Sequence, residues 1–261
     1  MLYLSEVMSL PLISDIAYIL GFLGRILTSV WFFITRGMAS YNVLVMQILF
    51  TFVEAFGLTA MLALGIGAAV DILGLQFLSA LSQEKLIYPL LIIIITRELG
   101  PLLTAFIIIA RSATAIATEV AGMVVSHEVE AYISIGLDPL EHICVPRFLG
   151  VTVSLFLLNV YFSLFGLAGS FVVAQFFMPM DAVSFFSNLL EMLTMPDIII
   201  SLLKSVVFGM IIALSALMQG FGVERASTEI PVAGLKAVSS AFAWCIIADI
   251  LLSAVYYVTM S

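Results

Sequence analysis

Four charged side chains lie within long apolar segments of this sequence: Arg97, Glu98, Lys204 and Asp249. An ionisable group at the centre of a bilayer costs about 2.5–3.5 kcal/mol, so each needs a charged partner or a water-filled cavity. At 1.5 Å per helical residue, all four fall roughly 10–15 Å below the same membrane surface. The spacing therefore predicts one charged layer to which three different helices contribute.

Two interpretations of this layer remain open. The charges can form buried ion pairs that only join helices, although apolar side chains would hold helices together more simply. Alternatively, they line a water-accessible cavity in which Arg97 or Lys204 meets an anionic headgroup or another polar substrate.

Three further charges lie deeper in the apolar segments: Glu54, Arg111 and Glu119. Arg111 and Glu119 are eight residues apart and lie on roughly one helix face, with small alanines nearby that allow close helix packing. We interpret these three as structural charges that contribute to packing and pair between helices. Arg147, at the start of the next apolar segment, is interpreted as a positive anchor at the membrane surface.

The sequence contains no motif of a catalytic or metal centre. GxxxxGK[ST], GxGxxG, HExxH and GxSxG are all absent. His127 and His142 lie in one polar connector, and Cys144 and Cys245 are far apart without CxxC spacing, which predicts free thiols. We therefore expect no metal site, no cofactor and no catalysis on this chain.

The composition is that of a membrane protein. Of 261 residues, 63% are hydrophobic and 10% are charged, the mean hydropathy is +1.25, and soluble domains carry about 25% charged residues. The net charge of −8 argues against nucleic-acid binding and against a polybasic lipid anchor. Acidic Glu6 precedes the first apolar stretch, which does not fit a cleaved signal peptide. We expect an all-α membrane protein with a single transmembrane domain over residues 1–261.

Five apolar stretches are long enough to span a bilayer, which needs about 20 residues. They cover about 43–70, 86–125, 146–176, 198–220 and 235–259. The second is too long for one perpendicular helix, so it must tilt, protrude or kink near Pro101. Residues 12–38 carry Arg25 and Arg36 on a polar stripe, which favours a helix in the membrane interface, with an additional span as the alternative.

The polar connectors separate these spans. The first contains Asp71 and Gln76, the third contains Asp197 and a small surface helix over 182–193, and the last is a loop over 222–234.

The second connector, 126–141, predicts a short surface helix of roughly 13 Å. Ser126 is the predicted N-cap of this helix, and Gly136 is its predicted end. Asp138, Pro139 and Glu141 then form the pattern of a new helix start. With five spans, the membrane side that holds this connector carries five basic residues, and the opposite side carries one. They are Arg25, Arg36, Arg147, Arg225 and Lys236, against Lys85. The excess places the N-terminus in the cytoplasm and the C-terminus outside.

Several of these residues resemble the signature of the MlaE/YrbE permease family, membrane subunits of ABC transporters that work with Mce-domain proteins. The matching pieces are Arg97-Glu98-Leu99-Gly100-Pro101-Leu102-Leu103-Thr104, Arg111 with Ala115 and Glu119, Glu130-Ala131, Gly136-x-Asp138-Pro139 and Pro146-Arg147. The family usually has glycine where this chain has Ala110 and Ala113.

The resemblance implies a homodimer in a bacterial inner membrane, with a cytoplasmic ATPase that holds ATP and Mg²⁺, a periplasmic Mce-domain hexamer and a phospholipid substrate. The charged layer Arg97, Glu98, Lys204 and Asp249 would receive the headgroup. The connector would be the coupling helix that docks on the ATPase, with contacts expected from Ser126, His127, Glu128, Glu130, Ile133, Gly136, Asp138, Pro139 and Glu141.

Two other functions remain possible from the sequence. An ion-driven secondary transporter would also need membrane carboxylates such as Glu54 and Asp249, and it would work without an ATPase. A non-transporting assembly subunit would tolerate neutralisation of all four charges of the layer.

Overall fold

The computed structural model describes residues 11–35, 41–83, 86–177, 181–224 and 226–260. This part of the chain folds into helices joined by short turns, which confirms the all-α prediction. The α-helices are α1 (Pro11–Thr35), α2 (Tyr41–Ala80), α3 (Ile87–Leu91), α4 (Gly100–Ile108), α5 (Thr114–Val125), α6 (Glu128–Ser134), α7 (Val145–Phe177), α8 (Ala182–Met192), α9 (Met195–Phe221) and α10 (Ile230–Met260). Three π-helical segments, Ile92–Leu99, Ile109–Ala113 and Leu140–Cys144, and a 3₁₀ turn, Ser227–Glu229, connect some of them.

Among the described residues, five helical stretches are long and apolar enough to cross a membrane, as predicted. They are Asn42–Ala80, Ile87–Val125, Leu140–Phe176, Met195–Phe221 and Ser227–Thr259. Because successive spans run in opposite directions, α6 lies at one end of the bundle and α8 at the other. We refer to these as the α6 end and the α8 end.

The first span is longer than the sequence predicted. Asp71 and Gln76, placed in a connector, lie inside α2, and Asp71 is only 1% exposed. Leu75 and Leu78 continue the buried face of α2 beyond Asp71. A single carboxylate does not end a helix whose apolar periodicity continues past it.

The second span is irregular on both sides of α4. The π segment Ile92–Leu99 runs directly into α4, where Pro101 occupies the first turn. Proline lacks an N–H group and its ring crowds the carbonyl one turn earlier, so regular α-helical bonding cannot continue through it. The irregularity that the sequence predicted near Pro101 therefore takes the form of a π segment.

The last two spans begin earlier than predicted. Asp197 belongs to the first turn of α9 rather than to a connector, and α10 begins at Ile230, within the predicted loop. The predicted surface helix over 182–193 is present as α8.

The connector at the α6 end differs from the prediction in its N-cap. Ser126 closes α5, where its N–H donates to the carbonyl of Gly122. His127, with a left-handed φ of 63°, precedes α6. Gly136, with φ of +79°, ends the turn after α6 as predicted. The Asp138 carboxylate accepts a bond from Leu140 N at 2.9 Å, but the helix it starts is the third span itself. The surface helix is therefore α6 alone, about 10 Å long at 1.5 Å per residue.

Close contact between α2 and α7 depends on glycine. A Cβ atom on Gly67 would overlap the backbone carbonyl of Gly166, and a Cβ atom on Gly169 would overlap the backbone of Leu64, so each helix needs a glycine where it meets the other. Small residues allow such close helix approach in membranes.

Helix α1 contributes Ile26 and Phe33 to buried clusters while Arg25 is exposed. Its position in the interface remains a prediction. Four charged residues named above, Glu6, Arg36, Lys85 and Arg225, lie outside the described residues.

Candidate functional site

The structure brings together the four charges predicted to share one layer. Lys204 on α9 is completely buried. Its Nζ lies 2.5 Å from Glu98 Oε2 and 2.8 Å from Asp249 Oδ1. It also donates to Ser253 Oγ at 2.8 Å. Three separate spans therefore meet at this ammonium group.

Arg97 extends the same cluster towards the α8 end. Its Nε lies 3.2 Å from Glu98 Oε1, and its Nη1 lies 3.7 Å from Asp197 Oδ1. Its Nη2 donates to the Tyr257 hydroxyl at 2.6 Å. The guanidinium carbon is 4.9 Å from the ring centre of Tyr256 and 5.0 Å from that of Tyr257, which places it within cation–π distance of both.

We call this group the upper cluster; its charged members are Arg97, Glu98, Asp197, Lys204 and Asp249. It contains two cations and three carboxylates, so the cations are fully balanced by neighbouring acids. The burial is uneven: the Lys204 side chain has no exposed surface, whereas that of Glu98 is 31% exposed. Its cations are therefore held inside the bundle, while one carboxylate reaches an accessible surface.

The local fold explains why Arg97 and Glu98 both belong to this cluster. They lie in the π segment Ile92–Leu99, one turn before Pro101. The wider π turn changes the angular spacing of side chains relative to an α-helix, and such segments occur frequently at functional sites.

Asp197 is the charged member that the sequence interpretation missed. It forms a capping box with Thr194, whose Oγ1 donates to Asp197 Oδ2 at 2.6 Å. The other carboxylate oxygen accepts a bond from the Tyr256 hydroxyl at 2.9 Å. The Thr194-x-x-Asp197 pattern before an apolar run was the available signal, because it marks a helix start. The two tyrosines and Ser253 had no comparable signal.

The deeper charges form ion pairs between helices, the type of pairing predicted from the sequence. Arg111 and Glu119 do not pair with each other. Arg111 binds Glu54 on α2, with Nη2 3.1 Å from Oε2 and Nη1 donating to the Glu54 backbone carbonyl. Glu119 instead binds Arg147, with Oε1 2.6 Å from Nη2. Both ion pairs join two different helices.

Arg147 is consequently more than a surface anchor. It is 7% exposed and also donates to the Ile143 carbonyl at 2.8 Å. It joins the start of the third span to the second span.

The α6 end presents most of the predicted coupling residues to the outside. Ser126, His127, Glu128, Glu130, Ile133, Gly136 and Asp138 are exposed, whereas Pro139 and Glu141 are half-buried. His127 Nδ1 lies 2.8 Å from Glu130 Oε2. Ile133 and Ile135 are apolar yet 61% and 72% exposed. An acidic surface with protruding apolar side chains therefore lies between the second and third spans.

Long apolar helices around a buried ionic cluster define a multi-pass α-helical membrane protein. The chain belongs to the MlaE permease family, because the profile of that family, described as Permease MlaE, matches residues 44–255. The resemblance inferred from the charged motifs is confirmed.

Individual relatives agree with this membership. A protein of Rickettsia typhi named as a probable ABC transporter permease is 27% identical over 195 residues, covering 72% of this chain and 75% of that protein. The intermembrane phospholipid transport system permease protein MlaE of Haemophilus influenzae is 25% identical, covering 83% of this chain and 84% of that protein. The chloroplastic protein TRIGALACTOSYLDIACYLGLYCEROL 1 of Arabidopsis thaliana is 23% identical, covering 78% of this chain and 58% of that protein.

Proposed function

We propose that this chain is the permease subunit of an ABC transporter that moves phospholipids, or similar hydrophobic lipids, between the bacterial inner membrane and an Mce-domain partner. A separate ATPase supplies the energy. The observation that carries this proposal is the upper cluster, in which three spans place Arg97, Glu98, Lys204 and Asp249 at one level. The names of the rickettsial and Haemophilus relatives support the transport class and the substrate.

The upper cluster is suited to receive a lipid headgroup. The cations that would bind a phosphate, Arg97 and Lys204, are already desolvated and oriented by carboxylates and by Tyr257. A phosphate would replace one of these partners, so the binding energy depends on exchange of ionic contacts rather than on new burial of charge. The acyl chains would lie against the apolar surfaces of the spans.

The α6 surface is suited to couple transport to ATP hydrolysis. Helix α6 is joined by short turns to α5 on one side and to the third span on the other. A rotation of α6 would therefore tilt both spans, as in other rigid-body transitions. Exposed Ile133 and Ile135 would fill an apolar groove of the ATPase, and Glu128 and Glu130 would meet basic groups beside it.

The proposal includes an assembly and an orientation. Two copies of this chain would form a homodimer, with two cytoplasmic ATPases at the α6 end and an Mce-domain hexamer at the α8 end. ATP and Mg²⁺ would be held by the ATPases. The N-terminus would be cytoplasmic and the C-terminus periplasmic, in agreement with the excess of basic residues on the α6 side.

Purification from a mild detergent tests this assembly. We expect a tagged form of this chain, isolated from its own host, to bring with it an ABC ATPase and an Mce-domain protein, identified by mass spectrometry. A second tagged multi-pass protein from the same membrane controls for adhesion. Isolation of the chain without either partner would overturn the proposal and favour an ion-driven transporter.

A further inference from the structure

A polar cavity lies between α2 and the second span, nearer the α6 end than the upper cluster. Its volume is about 420 Å³. Its polar lining consists of Gln47, Thr51, Glu54, Arg111, Ser112 and Glu119. We call it the lower cavity.

The charged lining of the lower cavity requires a polar occupant. The side chains of Glu54 and Arg111 are 40% and 42% exposed, and that of Glu119 is 54% exposed. All three lie in apolar helices that are long enough to cross a membrane. Lipid chains cannot solvate exposed charges at this level, and intramembrane charges face the protein interior or a wet cavity.

Thr51 is an independent indication of a ligand. It lines the same cavity and is only 2% exposed. Within the described part of the chain, its hydroxyl has no hydrogen-bond partner. Buried hydroxyl groups are nearly always bonded, so a bound group that reaches Thr51 would satisfy it.

The arrangement of charge defines the class of ligand. Arg111 provides one guanidinium, bound on one side to Glu54. Glu119 provides a second carboxylate, which already forms an ion pair with Arg147. A headgroup with negative charge alone would meet two carboxylates beside the single cation. A zwitterionic headgroup matches both signs, with its phosphate at Arg111 and its amine at the carboxylates.

We propose that the lower cavity binds the zwitterionic, amine-bearing headgroup of a phospholipid. This inference rests on the proposed transport function and adds a second headgroup site to it. Arg97 and Arg111 are 14 residues apart on one continuous span, a separation of about 21 Å at 1.5 Å per residue. The span would thus carry one headgroup site towards each end of the bundle.

A photo-crosslinking amino acid at Ala115 tests the proposal, because this exposed residue lines the cavity. The full-length protein with its co-purified partners would be placed in nanodiscs of equal phosphatidylethanolamine and phosphatidylglycerol. The same crosslinker at Leu157, which is 41% exposed on α7, reports the composition of the surrounding lipid. We expect the ratio of crosslinked phosphatidylethanolamine to phosphatidylglycerol to be about tenfold higher at Ala115 than at Leu157, because one charge-assisted hydrogen bond gives a selectivity of about this size.

Matched variants then identify the side chains responsible. The double variant Glu54→Gln with Arg111→Gln keeps a hydrogen-bonding pair but removes both charges, and it should abolish the enrichment. Thr51→Val, which removes only the hydroxyl, should reduce it. Arg25→Gln removes an exposed charge on α1 and should leave it unchanged.

Three outcomes would overturn the proposal: no enrichment of phosphatidylethanolamine, enrichment of phosphatidylglycerol, or crosslinks to a second copy of this chain. The last would show that protein fills the cavity. Failure of the proposed transport function is distinguishable, because it would appear as absent ATP-dependent lipid transfer whatever the crosslinking result.

Discussion

Replacement of Lys204 by methionine separates a structural from a functional role of the upper cluster. Lys204 has no exposed surface, and its ammonium group joins Glu98 and Asp249. Removing one partner of a buried ion pair typically costs about 3–5 kcal/mol, because it leaves an uncompensated charge. Since the two carboxylates retain 31% and 18% exposure, we expect a cost near the lower limit, about 3 kcal/mol.

The loss of stability should appear as a lower midpoint of thermal unfolding in detergent. For a chain of this size, a shift of about 2–4 °C per kcal/mol predicts a decrease of about 6–12 °C for Lys204→Met.

A neutral version of the cluster provides the matched control. The triple variant Lys204→Met, Glu98→Gln, Asp249→Asn removes the uncompensated charges at nearly constant volume. Its stability should return to within about 1 kcal/mol of the wild type, because uncharged replacements of buried ion pairs are often neutral. Its ATP-dependent transfer of labelled phospholipid should still be at least about tenfold slower, since Lys204, one of the two cationic ligands for the headgroup, is absent.

Transfer by the triple variant at the wild-type rate would refute this reasoning. In that case the upper cluster would only join helices. Recovery of neither stability nor transfer would also contradict it, because the cost would then come from packing at Lys204 rather than from unpaired charge.

Three further predictions concern other parts of the molecule. Arg147→Gln should destabilise the protein by about 2–3 kcal/mol in thermal unfolding, because it breaks the bonds between the buried Arg147 guanidinium and Glu119. An unchanged midpoint would contradict the ionic link between the second and third spans. Ile133→Asp should leave the unfolding midpoint unchanged but reduce ATPase co-purification, since this side chain is 61% exposed, and equal recovery of the ATPase would exclude α6 as its docking element. Gly67→Ala should reduce stability far more than Gly65→Ala, because only at Gly67 would the added Cβ meet the facing helix; equal midpoints for the two variants would contradict the close crossing of α2 and α7.

The charged layer could be predicted from the sequence because each helical residue adds about 1.5 Å, so the number of residues from a helix end gives the depth in the membrane. Lys204 and Asp249 were placed at one level by counting from helix ends, and the structure brings both within ion-pair distance. The same reasoning could not assign partners across helices. It indicates one helix face for Arg111 and Glu119 but not their partners, and rotation and packing of the spans join Arg111 to α2 and Glu119 to the third span.

Helix ends account for most of the other differences. Polarity marks Asp71 and Asp197 as connector residues at the membrane surface, yet both lie in helices. The two tyrosines near Arg97 fall in the last turns of α10, where aromatic residues are common in any membrane helix. The lower cavity could not be predicted, because it depends on how two distant spans pack against each other.

ATP-dependent phospholipid transfer by the purified complex tests the central claim most directly. The complex would be reconstituted in liposomes, and movement of a labelled phospholipid to an acceptor would be followed with ATP, without nucleotide, and with an ion gradient alone. We predict transfer that requires ATP hydrolysis and is at least about tenfold slower in the triple variant. Transfer driven by the ion gradient without ATP, or none under any condition, would contradict the account.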